Sequence, residues 1–343
     1  MEILIISPKT SGIGGVAQHV SKLIELLRRR GFLVDYISTE NTLYIPVKKF
    51  MNLSFTVSAI LKTLIKRTHK EYEIVHAHNI VGYIPATIMK TKKVLTLHGV
   101  FSEQIGLLYG SMLAKISALL EYKAISSSDA ITAVSVTTCK WYSRRGVKVL
   151  YIPNAVDLSD MPSRGIKLYE RQAIFLGRLS KEKGVDILVH AFKRLKDVHL
   201  IILGDGPLRS FVTKAAEKYD NIHYLGYKPR SIALEYLKGS DVLVLPSRIE
   251  GTPTVLLEAM ALKVPIVATN INGIREVLSP GKGILVELDN SRALTEAVRR
   301  VLEEDEERIS IVERAYTSLL KRYTWDIVIE DYIRVYKQVL GET

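Results

Sequence analysis

Short, nearly uninterrupted apolar runs alternate along this chain with longer stretches in which apolar residues return every three or four positions. Ile3–Ser7, Leu33–Ile37, Ile74–Ala77, Val94–Leu97, Ala130–Val134 and Val149–Ile152 are the runs of the first half. Continuous apolar character is what a strand buried on both faces displays, so each is read as a strand. Between the first two lies Gly15–Arg30, with Val16, Val20, Leu23, Leu26 and Leu27 at helical spacing and Gly31 as its stop. Strand, helix, strand in this order predicts a parallel sheet with helices on both sides.

The pattern breaks at Asp157–Tyr169, where Asp, Ser, Pro and Gly gather, and then restarts. Strands are expected at Ala173–Leu176, Leu200–Leu203, Ile222–Tyr224, Val242–Leu245 and Pro265–Ala268. Helices are expected around Asp186–Lys196, Leu208–Tyr219 and Thr254–Leu262. The fold class is therefore α/β, with two doubly wound, Rossmann-like domains joined near residue 165: 1–165 and 166–324.

Composition narrows the class. Of 343 residues, 47% are hydrophobic and 24% charged, enough apolar material for two cores. A disordered tail, a collagen-like fibre and a disulfide scaffold are excluded. Cys139 is the one cysteine, which points to a reducing, cytoplasmic compartment. The start, Met1-Glu2-Ile3-Leu4-Ile5-Ile6, reads as a first strand and not as a signal peptide. The charge-free stretch Phe50–Leu61 falls short of the ~20 residues a bilayer requires, so no span is expected.

Charge then changes the picture. Lys and Arg number 48 against 36 Asp and Glu, a net +12. Residues 1–165 hold 21 against 11, a net +10, whereas residues 166–343 hold 27 against 25, a net +2. Such asymmetry implies that the first half meets something anionic: a membrane surface, a phosphorylated substrate or nucleic acid.

Candidate chemistry sits where strands end. Gly12-Ile13-Gly14-Gly15-Val16-Ala17 follows the first strand and opens a helix. Glycines let a ligand approach the backbone, and a helix N-terminus offers free amides to an anion. The segment also fits the dinucleotide pattern, with Glu40 in the ribose role, although five residues separate strand from glycines where that turn is tight. A phosphate or sugar contact, a structural turn and nicotinamide binding all stay open. His98 in Thr96-Leu97-His98-Gly99 stands at the carboxyl end of a strand, where open α/β sheets bind ligands. His76 and His78 are alternatives, and a structural hydrogen-bonding role is the competing account of all three. In the second half, Gly177-Arg178-Leu179-Ser180-Lys181-Glu182-Lys183-Gly184 places three cations near glycines beyond a strand. That suits a diphosphate; a solvated basic turn is the plain alternative.

The most specific segment is Pro246-Ser247-Arg248-Ile249-Glu250-Gly251-Thr252-Pro253-Thr254-Val255-Leu256-Leu257-Glu258. Glu250 precedes a helix and Glu258 lies within it on an otherwise apolar stretch. A carboxylate there needs a partner, and sugar hydroxyls qualify. The amides of Gly251–Val255 at the helix start suit phosphate oxygens.

With these residues in view, the chain resembles the retaining glycosyltransferases of family 4, which have the two-domain GT-B fold. The resemblance is carried by Gly14-Gly15-Val16, Ile152-Pro153-Asn154-Ala155-Val156-Asp157, the Gly177–Gly184 segment, Gly204-Asp205-Gly206-Pro207 and the Glu-x7-Glu pair Glu250/Glu258. These run in order from about residue 3 to about residue 286. The resemblance implies two domains facing across a cleft, with the final helix, 325–343, crossing back onto the first. It implies that Arg178 and Lys183 bind the diphosphate of a nucleotide sugar and stabilise its departure. Gly14 and Gly15 back that diphosphate, as do Gly251, Thr252, Pro253, Thr254 and Val255. Glu258 holds the ribose, Glu250 contacts the transferred sugar, and His98 sits beside it. No cofactor is implied beyond the nucleotide-diphosphate sugar as co-substrate.

No Asp-x-Asp motif occurs, so side chains and helix-end amides are expected to neutralise the leaving group without a metal. The acceptor is a glycan or a lipid-linked sugar, and nucleic acid is not expected. A GT-B-fold epimerase or hydrolase stays open, with Glu103 and His98 as its acid/base candidates, as does a non-catalytic sugar-nucleotide-binding relative.

One more pattern bears on the acceptor. In Val47–Lys70, Phe50, Leu53, Val57, Ile60, Leu61 and Leu64 fall at helical spacing, flanked by Lys48, Lys49, Lys62, Lys66, Arg67 and Lys70. Such a helix can lie in an anionic headgroup layer, making the protein peripheral on the cytoplasmic face of a membrane. An ordinary sheet-covering helix with solvated lysines is the competing expectation.

Overall fold

A computed structural model of the chain describes residues 1–10, 14–45, 51–102 and 111–342, with the side chains of Met51 and Ser111 left aside. Gly12, Ile13, Lys48, Lys49, Phe50 and Glu103 lie outside the described residues. The chain forms two units, Met1–Asn154 with Asp326–Thr343, and Ala155–Trp325.

In the first unit, strands β1 (Glu2–Ile6), β2 (Leu33–Ile37), β3 (Ile74–His78), β4 (Lys92–Leu97), β5 (Ala130–Ala133) and β6 (Leu150–Tyr151) form one parallel sheet. Their order is β2-β1-β3-β4-β5-β6. The chain moves outward from β1 to β2, then returns across β1 and continues the other way. With right-handed crossovers, that reversal puts helix Gly15–Arg29 on one face. Helices Met51–His69, Asn79–Ala86, Ser111–Ser126 and Val136–Ser143 take the other. Side-chain alternation then divides the sheet. Leu4, Ile6, Val75, Ala77, Leu95 and Leu97 join the apolar core beneath the four helices. His76 and Thr96 point to the opposite face, where helix Trp325–Leu340 lies beside helix Gly15–Arg29.

In the second unit, strands β7 (Gln172–Leu176), β8 (His199–Leu203), β9 (Ile222–Gly226), β10 (Val242–Leu245), β11 (Ile266–Thr269) and β12 (Ile284–Val286) form a second parallel sheet. Its order is β12-β11-β10-β7-β8-β9. The four inner strands, β11, β10, β7 and β8, are almost wholly buried, which is why they read as continuous runs, while the edge strands β9 and β12 are partly exposed.

The junction lies at 154/155, eleven residues before the composition break near 165. Residues 155–165 belong to the second unit because its helices hold them. Val156 accepts from the Trp325 amide at 3.1 Å and donates to the Tyr323 carbonyl at 3.0 Å, and Asp160 meets Arg230 at 3.3 Å. Pro and Ser mark a chain that turns; they do not reveal which core the turn packs on.

Candidate active site

In the second sheet the strand order reverses between β7 and β10, and a crevice opens beyond strand ends at such a switch point. The loops leaving those two strands carry Arg178 and Lys183 on one side and Ser247, Arg248 and Glu250 on the other. Lys183 Nζ donates to Glu250 Oε1 at 2.5 Å, and Ser247 Oγ donates to the same oxygen at 2.8 Å. Neither bond uses Oε2. The carboxylate is only 7% exposed, so the ammonium supplies the countercharge that burial demands.

Arg248 sews the two loops together. Its backbone amide donates to the Glu182 carbonyl at 2.7 Å, and its guanidinium takes Asp186 bidentately at 2.8 and 2.9 Å. Partial burial raises the Asp186 carboxyl, but hydrogen bonding and charge from Arg248 win and hold it below its ordinary value. The guanidinium also reaches Asp289 at 2.7 Å.

Two glycines set how closely the loops approach. Gly184 lies at φ +67°, and a methyl group there would overlap the Pro246 carbonyl. Gly273, in the first turn of helix Asn272–Leu278 after β11, lies so close to the Gly251 carbonyl that no Cβ fits. Arg178 is exposed, and among the described residues its guanidinium has no hydrogen-bond or ion-pair partner.

Glu258 is buried in helix Thr254–Ala261, as its apolar neighbours require. Its partner is Arg230, whose Nε donates to Oε1 at 2.8 Å while Nη1 reaches Asp160 at 3.3 Å. Sequence analysis missed Arg230: a basic residue opening a helix 28 positions upstream carries no periodic or motif signal. Gly251, Thr252, Pro253, Thr254 and Val255 form the entry to the same helix, whose Pro253 cap makes no side-chain hydrogen bond.

The first unit holds a second constellation. Its strand order reverses between β1 and β3; Gly14 lies beyond β1, His78 ends β3 and Asn79 follows it. Gly14 caps and Gly15 opens helix Gly15–Arg29, both exposed. His98 Nε2 and His78 Nδ1 share a 3.1 Å hydrogen bond, and the His98 amide donates to Asn79 Oδ1 at 3.0 Å. His76 Nδ1 bonds the Tyr336 hydroxyl and Nε2 the Thr96 hydroxyl, both at 2.7 Å. His19 Nε2 bonds the Tyr332 hydroxyl at 3.0 Å. Four imidazoles thus form one layer, His19 lying 5.2 Å from His98 and His76 4.4 Å from His78, centroid to centroid. Burial drives all four pKa values down, His19 to about 4 and His76 to about 3, with His78 and His98 well below the ordinary value. They are neutral at pH 7. His76 is therefore a structural residue beneath the last helix, while His98 stands at the edge of the layer, partly exposed.

Glu40, the candidate ribose acid of a dinucleotide site, serves the turn after β1. Thr10 donates to it twice, from its amide at 3.1 Å and its hydroxyl at 2.5 Å. Among the described residues no group of three or more His, Cys, Asp or Glu side chains is arranged to hold a metal ion.

The comparisons with known proteins follow the same division. The family described as Glycosyltransferase Family 4 matches residues 13–160, and Glycosyl transferases group 1 matches 158–318. The chain belongs to the family-4 glycosyltransferases, of GT-B fold. This glycosyltransferase is 27% identical to a phosphatidyl-myo-inositol mannosyltransferase of Mycobacterium tuberculosis, over 99% of this chain and 98% of that one. Its fold is that of sucrose-phosphate synthase from Thermosynechococcus elongatus, with a TM-score of 0.85, 18% identity and 99% of each chain covered. It is also that of Anabaena HepE in complex with UDP-glucose, with a TM-score of 0.74, 17% identity, and 98% and 100% covered. No helix of the glycosyltransferase, among the described residues, is long and apolar enough to cross a membrane.

Proposed function

We propose that this glycosyltransferase retains anomeric configuration, takes its sugar from a nucleotide-diphosphate sugar bound by the second unit, and needs no metal ion or other cofactor. The observation that carries this reading is the Lys183–Glu250 contact at the switch point, beside a guanidinium on Arg178 with no partner of its own. An ammonium held by one carboxylate oxygen keeps two donors for phosphate oxygens, and Arg178 adds a planar fork. A preorganised donor aimed at developing charge is worth ~3–4 kcal/mol in a transition state. Two such cations do the work that other transferases give to a divalent ion.

The residues divide accordingly. Arg178 and Lys183 take the diphosphate, with the amides of Gly251, Thr252, Thr254 and Val255 around the Pro253 cap. Glu258, oriented by Arg230, takes the ribose hydroxyls. Glu250 directs its free Oε2 to the transferred sugar, and His98, in the first unit, offers a neutral imidazole to a sugar hydroxyl. In a front-side displacement the bond from the anomeric carbon to the diphosphate oxygen breaks as the acceptor hydroxyl bonds to that carbon on the same face. The acceptor proton passes to the departing phosphate oxygen. No enzymic nucleophile is required.

The acceptor is a lipid-linked sugar or glycolipid, reached by a basic first unit docked peripherally on an anionic membrane face. The net +10 of residues 1–165 supports this, as does the likeness to a protein named for mannosylating phosphatidyl-myo-inositol. Incubation with UDP-, GDP- and ADP-sugars, with and without a membrane extract as acceptor, tests the reading. Acceptor-dependent nucleotide release that survives EDTA is expected. Equal release without acceptor would make the protein a hydrolase or epimerase, and complete loss in EDTA restored by metal would end the metal-free mechanism.

A further inference from the structure

Helix Met51–His69 packs through Phe55, Ala59 and Thr63, all fully buried. Its other apolar ridge, Leu53, Val57, Leu61 and Leu64, faces outward, with Leu53 65% and Leu61 59% exposed. At about 100° per residue these four lie within roughly 80° of one another, so they form a continuous stripe. A sheet-covering helix with solvated lysines would bury that stripe; here it is bare. The lysines are partly spent inside the fold, since Lys66 pairs with Asp35 at 3.3 Å and Lys70 with Glu2 at 2.5 Å.

Helix Ser111–Ser126 is inverted more strongly. Its inward face holds Ser117 and Glu121 beside Ala124 and Ile125, and Glu121 accepts from the Phe101 amide at 2.9 Å and from the buried Tyr142 hydroxyl. Its outward face holds Met112, Leu113, Ile116, Leu119 and Leu120, with Met112 73% and Leu119 69% exposed. Lys115 and Lys123 stand beside this face, and among the described residues neither has an ion-pair partner.

Both helices lie on one face of the first sheet and pack against the same short helix, Asn79–Ala86. The segment Leu43–Ile45 adds three more exposed apolar residues, tied to the first helix by the Ile45 amide donating to Ser54 Oγ at 2.9 Å. Among the described residues, fourteen of the twenty-two large apolar side chains that are exposed fall in these three segments. Such concentration marks an interaction surface and not the scatter of any soluble protein.

We infer that the outward faces of helices Met51–His69 and Ser111–Ser126 together form the surface that enters the interfacial layer of an anionic lipid bilayer. The inference rests on the membrane-borne acceptor proposed above and names the residues that reach the membrane. Charge selects the occupant: the unit is net basic, and unpaired lysines rim the apolar stripe of the second helix, the pattern of an interfacial helix at anionic headgroups. A second copy of this chain would bring like charges together around the same patch.

Flotation of the purified full chain with vesicles of phosphatidylcholine and phosphatidylglycerol, against pure phosphatidylcholine, tests this. We expect binding to the anionic vesicles, and at least ~10-fold weaker partition for Leu53→Ser/Leu61→Ser and for Ile116→Ser/Leu119→Ser. Both variants remove exposed side chains, so unfolding midpoints and nucleoside-diphosphate affinity should stay unchanged. No binding of the parent protein, or full binding of both variants, overturns the inference. So does sedimentation showing a dimer that the Ser variants dissolve. Failure to bind any nucleoside diphosphate while flotation succeeds would overturn the donor reading and leave this surface standing.

Discussion

Lys183 and Glu250 stand 67 residues apart in sequence and 2.5 Å apart in space, and their contact joins the two loops between which the second sheet reverses its strand order. The carboxylate has little exposure and a second donor in Ser247. The ammonium keeps more, at 28%. Such a pair holds a cation in place without consuming its capacity to donate.

Arg178 and Lys183 should therefore separate. Each change to Ala is expected to lower turnover at least ~100-fold through lost transition-state charge stabilisation. Lys183→Ala should also lower the unfolding midpoint, because Glu250 keeps only Ser247 as a donor, while Arg178→Ala should leave it unchanged. Initial rates and thermal unfolding on the same preparations decide this. A folded double variant with near-normal activity would remove the donor-site assignment.

Glu258→Ala and Arg230→Ala should both weaken nucleoside-diphosphate binding, the first by removing the ribose acceptor and the second by freeing its carboxylate. The Arg230 effect should be the smaller, roughly 3–10-fold, since one charge-assisted hydrogen bond orients the group. Titration calorimetry measures both. Unchanged affinity in Glu258→Ala would take the ribose role from it.

Acid should weaken the first unit. Folded-state pKa values of about 4 for His19 and about 3 for His76 lie below the ordinary 6.5. The unfolded chain thus binds more protons between those values, and the stability present above pH 6.5 is lost progressively as pH falls. Two such groups lower stability by roughly 2–4 kcal/mol between pH 7 and pH 5. Urea unfolding at the two pH values, followed by a probe in the first unit, measures it. Equal stability at both would mean the imidazoles are not buried neutral.

Gly273→Ala should cut activity sharply while both sheets persist. A methyl group at that position overlaps the Gly251 carbonyl and pushes on the Glu250 carbonyl behind it. The loop holding Glu250 must move, and a displacement near 1 Å in a positioning group can cost ~100-fold. Rates near those of the parent protein would show that this loop tolerates the shift.

Tyr336→Phe should destabilise the first unit by ~1–2 kcal/mol, since buried His76 Nδ1 loses its hydrogen-bond partner. Chemical denaturation reports the change. A neutral result would mean that His76 finds another partner.

Much of this protein was decided locally. Strands such as Ile3–Ile6 and Val242–Leu245 are buried on both faces, so their sequences are continuously apolar, and no tertiary knowledge is needed to see them. The loops of the switch point were legible for a related reason: glycine and a helix start leave residue types in fixed order, as in Gly177–Gly184 and Glu250–Glu258. What distance in space decides, local order cannot carry. Arg230 reaches Glu258 across 28 residues, and His19 meets Tyr332 across 313, because separate crossovers bring those positions to one sheet face. The two bare helices show the limit most directly. Periodicity reveals that Leu53, Val57, Leu61 and Leu64 share a stripe, and equally that Phe55, Ala59 and Thr63 share another. Only the packing of the helix against its sheet chooses which stripe meets the core and which is left for a partner.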